Sequence, residues 1–261
     1  MDSLQRVAQE LKQASKVTIL SHILPDGDCT GSMLALGKAL KSLGKEVILV
    51  NQDRIPDYLS FLPGAEDVIT PEQVTDWASL LVCVDCSDLA RLGEEAWSRV
   101  KAGKIVNIDH HISNSGFGFI NYVDAGAAAT GQIIAKLLGH LDIPLDRELS
   151  TLLYTAIVTD TGSFQYSNTS GEVHTLAATL LATGIDVAEI NVKLYDNKSI
   201  SAVKLIGEAL HSLEFTGDGK IAWITLPRKV LETIGATDEH TEGLINYARA
   251  INTVEVGILF R

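Results

Sequence analysis

The chain has 261 residues, 46% of them hydrophobic, which is enough to bury one large core or two modest ones. Its 33 acidic and 21 basic residues give a formal net charge of −12, which argues against a protein that grips long duplex DNA. No apolar run approaches the roughly 18 residues of a membrane span. Three cysteines and no visible secretory signal lead us to expect a cytoplasmic protein without a disulfide framework.

The predicted elements alternate between helix and strand from the start of the chain. Apolar residues recur at helical spacing over 4–11, which predicts an amphipathic helix. The apolar runs at 17–20 and 45–50 predict buried strands, and a helix is predicted over 33–43 between them, ended by Gly44. This alternation predicts an α/β fold with a mostly parallel sheet flanked by helices.

The loop between the first strand and the next helix carries the pattern HxxxDxD, formed by His22, Asp26 and Asp28. Hard divalent cations prefer carboxylate oxygens, and imidazole suits manganese, iron or zinc. The pattern therefore indicates the start of a metal site. The alternative is a polar loop in which Asp28 caps the following helix.

Three later apolar runs end in the same kinds of side chain. They are 79–84 before Asp85, 104–108 before Asp109, His110 and His111, and 152–159 before Asp160. Buried parallel strands appear as continuous apolar runs, and ligands bind beyond their carboxyl ends. We therefore expect one shared metal site there, although the run at 149–159 is long enough to be a buried helix instead.

The character of the chain changes after residue 184. Residues 185–207 predict a helical linker, and a GDG sequence at 217–219 between two short apolar runs predicts a β-hairpin. We expect a catalytic domain at 1–184 and a smaller, incomplete α/β domain at 208–261.

These sequences resemble the four motifs of the DHH phosphoesterase superfamily in residue type, order and spacing. The matching motifs are SHILPDGDCTGS, VCVDCSD, NIDHHISN and AIVTDTGSFQYSNT. Residues 56–64 resemble the bacterial branch of oligoribonucleases and pAp phosphatases, the nanoRNases. The resemblance favours a helix over 149–159 and implies that 208–261 begins a DHHA1 domain. That domain normally continues into a GGGH segment, so we expect the native protein to extend beyond Arg261. A naturally short form is the alternative.

The resemblance also implies a two-metal site in which Asp85 bridges two divalent cations, with manganese the expected metal. The implied ligands are His22, Asp26 and Asp85 for one cation, and Asp28, Asp85, His110 and Asp160 for the other. His111 would act on the substrate, and Asp109 would orient a ligand histidine.

Four further residues are candidate substrate contacts: Gly31, Ser32, Arg91 and Ser163. Gly31 and Ser32 are predicted at a helix start, where backbone N–H groups favour phosphate. The alternative for this pair is a role in tight helix packing. Arg91 could instead be a solvated surface residue, and Ser163 could belong to a plain turn.

The leading interpretation is a manganese-dependent phosphoesterase that acts on short oligoribonucleotides, pAp, or linear or cyclic dinucleotides, with no membrane partner. One alternative is the related manganese class of inorganic pyrophosphatases, which usually has Thr where this chain has Gly27. Another is a catalytically weak nucleotide-binding protein. The sequence leaves a homodimer open. Cys83 and Cys86 form a CxxC pair, but Cys83 lies in a predicted buried strand, so we expect no zinc or redox role.

Overall fold

The computed structural model describes residues 3–100, 103–241 and 243–261. The chain divides between Leu194 and Tyr195 into two compact units. This division falls inside the segment 185–207, while the domain bounds 1–184 and 208–261 stay predictions. Within the described ranges, no helix combines the length and the apolar character that crossing a membrane requires.

The first unit is built on a six-stranded parallel sheet. Its strands are β1 (Lys16–Leu20), β2 (Glu46–Val50), β3 (Val68–Ile69), β4 (Leu80–Val84), β5 (Lys104–Asp109) and β6 (Ile120–Val123). They are arranged in the order β3-β2-β1-β4-β5-β6, and every neighbouring pair is parallel. The predicted α/β class with a mostly parallel sheet is therefore confirmed.

Helices cover both faces of this sheet. They are α1 (Ser3–Gln13), α2 (Gly27–Ser42), α3 (Glu94–Val100), α4 (Thr130–His140), α5 (Arg147–Asp160), α6 (Gly171–Leu181) and α7 (Val187–Asn191). Successive residues of a strand point to opposite faces. In β4, Val82 and Val84 pack in the larger core with α1, α2, α4 and α5, whereas Leu81 and Cys83 pack in a second core with α3.

Helix α2 begins at Gly27, earlier than the sequence predicts, because Asp26 caps it. The Cys29 N–H donates a 3.0 Å hydrogen bond to Asp26 Oδ1. The alternative that Asp28 caps this helix is therefore wrong, and Asp28 lies in its first turn.

The apolar run at 149–159 forms helix α5, so the expectation of a strand before Asp160 is wrong and the helix is confirmed. Asp160 is the last residue of this helix. Helix α5 has 14 residues, which exceeds the usual length of a strand.

The second unit is a smaller α/β structure. Its elements are α8 (Ile200–His211), β7 (Glu214–Phe215), β8 (Ile221–Thr225), α9 (Arg228–Ile234), α10 (Ile245–Arg249) and β9 (Val256–Phe260). Strands β7 and β8 pair antiparallel, as the predicted hairpin requires, and β9 adds parallel to β8. Leu205, Ile224 and Leu231 belong to its own apolar core.

Candidate metal centre

The candidate site lies where the order of strands reverses. The chain leaves β1 for β2 on one side and later places β4 on the other side of β1. In open α/β sheets this switch point opens a crevice at the carboxyl ends of the strands. Strands β1 and β4 lead directly to His22 and Asp85, and β5 ends at Asp109, immediately before His110 and His111.

His22 is oriented by the carbonyl that follows it. Its Nδ1 lies 2.7 Å from the Ile23 carbonyl oxygen, which can only accept, so Nδ1 carries the proton. Its Nε2 lies 3.5 Å from Asp26 Oδ2 and 3.4 Å from Asp85 Oδ2. The arrangement leaves the Nε2 lone pair available to a cation shared with both carboxylates.

Asp85 occupies the centre of the cluster in a strained backbone conformation. Its φ is 56°, in the left-handed region that non-glycine residues rarely adopt. Its N–H donates to the Ile108 carbonyl at 2.9 Å. The carboxylate is buried, with Oδ2 near His22 Nε2 and Oδ1 3.5 Å from His110 Nε2. Each oxygen of Asp85 therefore faces a different imidazole.

The buried Asp28 carboxylate accepts three hydrogen bonds and faces one imidazole nitrogen. Its Oδ1 accepts from the Ser32 hydroxyl at 3.0 Å and from the Gly131 N–H at 2.9 Å. Its Oδ2 accepts from the Thr130 N–H at 2.6 Å and lies 3.8 Å from His110 Nε2. The start of helix α4 thus fixes this carboxylate in one orientation.

Three carboxylates converge on one nitrogen of His110. Nε2 lies 3.8 Å from Asp28 Oδ2, and 3.5 Å from both Asp85 Oδ1 and Asp160 Oδ2. The other ring nitrogen, Nδ1, faces the Ala127 carbonyl at 3.3 Å. An imidazole nitrogen carries one proton at most, so it cannot satisfy three carboxylates by hydrogen bonding. A cation bound among the three carboxylates would balance their charge.

The crowding of negative charge has a clear electrostatic consequence. Burial, followed by the charges of Asp85, Asp160 and Asp26, raises the pKa of Asp28 well above its ordinary value. Burial and the charge of Asp85 raise the pKa of Asp160 to about 6, against the opposing effect of His110. A divalent cation relieves such repulsion, and carboxylates with imidazoles suit manganese, iron or zinc.

The described residues contain three groups of possible metal ligands, and within each group the ligand atoms lie within 4.8 Å of one another. These are His22 with Asp26 and Cys29, Asp85 with His110 and His111, and Asp28 with His110 and Asp160. All of the predicted ligands belong to one of these groups, and the structure brings them together at one edge of the sheet. The structure therefore contains acidic and imidazole groups placed for metal binding.

His111 is oriented differently from His110. Its Nδ1 lies 2.7 Å from Asp109 Oδ1, and this hydrogen bond is the main cause that raises the pKa of His111. Burial disfavours the Asp109 carboxylate, yet hydrogen bonds from His111 and Asn114 lower its pKa. The His111 side chain is 41% exposed, so a substrate can reach it. Asp109 therefore orients His111, the histidine predicted to meet the substrate. This differs from the expectation that it orients a ligand histidine, because its contact with His110 is to that residue's backbone N–H.

Gly31 and Ser32 do not lie at a helix start, so that expectation is wrong. Both lie inside α2 and are buried. A Cβ at Gly31 would lie 2.5 Å from the Leu152 carbonyl oxygen, which explains the glycine by close packing of α2 on α5. The Ser32 hydroxyl donates to Asp28. Ser32 thus supports a predicted ligand.

Arg91 and Ser163 lie next to segments that carry predicted ligands. The Arg91 carbonyl accepts the Ile23 N–H at 2.7 Å, and the Arg91 side chain is exposed. Ser163 follows α5, with a φ of 59° and an N–H that donates to the Val158 carbonyl at 2.8 Å. A substrate contact by either residue stays a prediction.

Two residues of the site were missed by sequence reasoning. The Thr130 hydroxyl donates to Asp85 Oδ1 at 2.8 Å, and the Asn114 amide donates to Asp109 Oδ2 at 2.6 Å. Asn114 stands three residues after His111 inside the NIDHHISN motif, so the motif offered a signal. Thr130 lies outside the four motifs, and nothing in the sequence marked it.

The switch-point crevice of a parallel sheet, lined by carboxylates and imidazoles, defines an α/β protein with a candidate metal centre. The model of the DHH family N-terminal domain matches residues 16–157, more than half of the chain. The chain therefore belongs to the DHH family and is a phosphoesterase.

Individual relatives agree with this assignment. The chain is 34% identical to the bifunctional oligoribonuclease and PAP phosphatase NrnA of Thermus thermophilus, over 94% of this chain and 74% of that protein. The crystal structure of an exopolyphosphatase-related protein from Bacteroides fragilis matches with a TM-score of 0.88 and 27% identity, over 96% of this chain and 77% of that one. RecJ of Thermus thermophilus, crystallised with Mn²⁺, shares the fold at a TM-score of 0.52 and 13% identity, over 99% of this chain and 46% of RecJ.

Proposed function

We propose that this chain hydrolyses phosphate esters of short oligoribonucleotides and of pAp, and that it uses two divalent cations, preferably manganese. The name of the Thermus thermophilus relative supports this class of substrate. The acidic net charge also favours short or small substrates over long duplex nucleic acid.

The observation that carries the proposal is the position of Asp85 between two imidazoles. Its Oδ2 lies 3.4 Å from His22 Nε2, and its Oδ1 lies 3.5 Å from His110 Nε2. A carboxylate that presents its two oxygens to two separate donor sets is suited to bridging a pair of cations. Asp26 completes the set around His22, while Asp28 and Asp160 complete the set around His110.

Bound divalent cations supply an activated water and neutralise the charge that develops on the phosphate group. The residues of the chain supply orientation and proton transfer. Hydrogen bonds from Ser32, Thr130 and Gly131 hold Asp28 fixed. His111, held by Asp109 through Nδ1, has its other ring nitrogen available to donate a proton to a phosphate or leaving-group oxygen.

The test is the variant Asp85→Asn, which removes one carboxylate charge and retains the size of the side chain. We expect it to lose the binding of two manganese equivalents, measured by calorimetric titration, and to lose hydrolysis of pAp and of a diribonucleotide. Glu66→Gln is the matched control, because Glu66 is exposed and lies outside the cluster. Wild-type stoichiometry and affinity in Asp85→Asn would remove Asp85 from the bridging role.

The same assay includes pyrophosphate, the substrate of the alternative enzyme class. Position 27 argues against that class, because a Cβ there would lie 2.5 Å from Thr159 Cγ2 and leave no room for a threonine. Faster turnover of pyrophosphate than of pAp would favour the pyrophosphatase. Metal binding without turnover of any of these substrates would favour the weak nucleotide-binding protein.

A further inference from the structure

The first group of donor atoms contains a thiol that the proposed metal centre does not use. Cys29 Sγ lies within 4.8 Å of ligand atoms of both His22 and Asp26. The residue is fully buried, and its sulfur lies 3.7 Å from the Asp26 carbonyl oxygen and 3.9 Å from Thr30 Oγ1. It also has a side-chain hydrogen bond with the His22 imidazole. This thiol therefore lies in contact with two predicted ligands.

Cys29 differs in this respect from the other two cysteines. Cys83 and Cys86 are members of the apolar core that packs against α3, and Cys86 Sγ lies 3.0 Å from the Asp88 carbonyl oxygen. Among the described residues, Cys29 belongs to none of the apolar clusters and is the sole cysteine in a group of metal-ligating atoms. Cys29 is thus buried beside the candidate ligands and not within an apolar cluster.

The local geometry explains why the sulfur faces the site. Helix side chains lean toward the N-terminus, and Cys29 lies in the first turn of α2, three residues after the cap. The hydrogen bond from its N–H to Asp26 Oδ1 ties the two residues together. Zinc binds nitrogen and oxygen at about 2.0–2.2 Å and sulfur at about 2.3 Å in a tetrahedral arrangement, so two ligands of one ion lie about 3.5 Å apart. His22 Nε2 and Asp26 Oδ2 are already 3.5 Å apart, and the sulfur lies within 4.8 Å of a ligand atom of each residue. A shift of about 1 Å brings the three donors to the separation that one ion requires.

We propose that Cys29 is a sulfur ligand of the cation held by His22 and Asp26 when that cation is thiophilic, such as Zn²⁺ or Co²⁺. The inference rests on the proposed metal centre and adds a determinant of metal identity to it. On binding, the thiol releases its proton to solvent, and a sulfur lone pair forms the bond to the cation. Harder Mn²⁺ takes the nitrogen and oxygen donors. The position held by His22 and Asp26 would thus favour thiophilic metals, because the Cys29 sulfur is a soft donor.

The experiment titrates the metal-free protein with Co²⁺ and records its absorption spectrum. Cobalt bound by a thiolate gives an intense sulfur-to-metal charge-transfer band in the near ultraviolet, whereas nitrogen and oxygen ligands give only weak visible bands. We expect the band in the wild type and in Cys86→Ser, the matched control. We expect its loss in Cys29→Ser and Cys29→Ala, with the weak visible bands retained.

A second readout compares affinities by calorimetry. Cys29→Ser is expected to weaken Zn²⁺ binding by at least about 10-fold, the lower end for loss of a supporting group, and to leave Mn²⁺ binding unchanged. Visible cobalt bands in the wild type without a sulfur band, or a sulfur band that persists in Cys29→Ala, would overturn the proposal and leave the metal centre intact. A wild type that binds no cobalt and no manganese would overturn the metal centre as well.

Discussion

The Thr130 hydroxyl donates a 2.8 Å hydrogen bond to Asp85 Oδ1 from a position 45 residues further along the chain. The N–H of the same residue donates to Asp28 Oδ2 at 2.6 Å. One residue at the start of α4 therefore holds two of the carboxylates that we propose as metal ligands.

Thr130→Val should weaken manganese binding while the protein stays folded. Valine keeps the shape of the buried side chain and the backbone bond to Asp28, and it removes the hydroxyl that orients Asp85. Loss of such a supporting hydrogen bond costs about 10–100-fold in metal affinity. Calorimetry checks this value, and Thr130→Ser, which retains the hydroxyl, should restore most of the affinity. Equal affinities in the valine variant and the wild type would make Thr130 a packing residue.

His111→Ala should retain both metal equivalents and lose most turnover. The side chain is partly exposed and its Nδ1 is occupied by Asp109, so its proposed role is toward the substrate. Loss of a general acid or base costs about 10²–10⁴-fold in rate. Metal content and the rate of pAp hydrolysis should be measured on one sample, with His140→Ala at the end of α4 as the control. Disappearance of the metals with the imidazole would make His111 a ligand.

Asp109→Asn should lower turnover through His111. The buried carboxylate lies 2.7 Å from His111 Nδ1 and is itself held by the Asn114 amide at 2.6 Å. An amide supports the imidazolium less well than a carboxylate, so proton donation should become slower. The double variant with His111→Ala should be no slower than His111→Ala alone, because the two residues act as one unit. Additive losses of rate in this cycle would give Asp109 a separate role.

The sequence predicts that the candidate ligands meet, where each of them directly follows a predicted strand. His22, Asp85 and His110 follow apolar runs, and parallel strands end at the same edge of a sheet, so their convergence follows from the pattern. The segment before Asp160 was ambiguous, because an apolar run alone does not distinguish a buried strand from a buried helix. The family resemblance favoured the helix, and the structure confirms it.

The groups that orient the ligands are harder to predict, because they depend on tertiary contacts. The N–H groups of Thr130 and Gly131 reach Asp28 across more than 100 positions of sequence, and backbone donors leave no residue signature. The start of α2 was placed too late for a local reason. Its first turn is polar, so the hydrophobic pattern begins only after the cap at Asp26 has already started the helix.

Gly27 offers a test of how tightly the start of helix α2 packs against helix α5. A Cβ at this position would lie 2.5 Å from Thr159 Cγ2 and 2.8 Å from Thr159 Cβ. Thr159 cannot turn away freely, because its hydroxyl donates to the Thr155 and Ala156 carbonyls at 2.9 and 3.1 Å. Gly27→Ala should therefore destabilise the protein by about 1–3 kcal/mol, the usual cost of overpacking.

Thermal unfolding followed by circular dichroism measures this loss. Adding Thr159→Ala removes the Cγ2 and hydroxyl atoms but leaves the Cβ, so the double variant should recover part of the lost stability. Gly27→Thr, which introduces the residue usual in the pyrophosphatase class, should be less stable than Gly27→Ala because its branched side chain needs still more room. A Gly27→Thr protein that unfolds at the wild-type temperature would show that the start of α2 moves aside. The steric argument against the pyrophosphatase class would then fail.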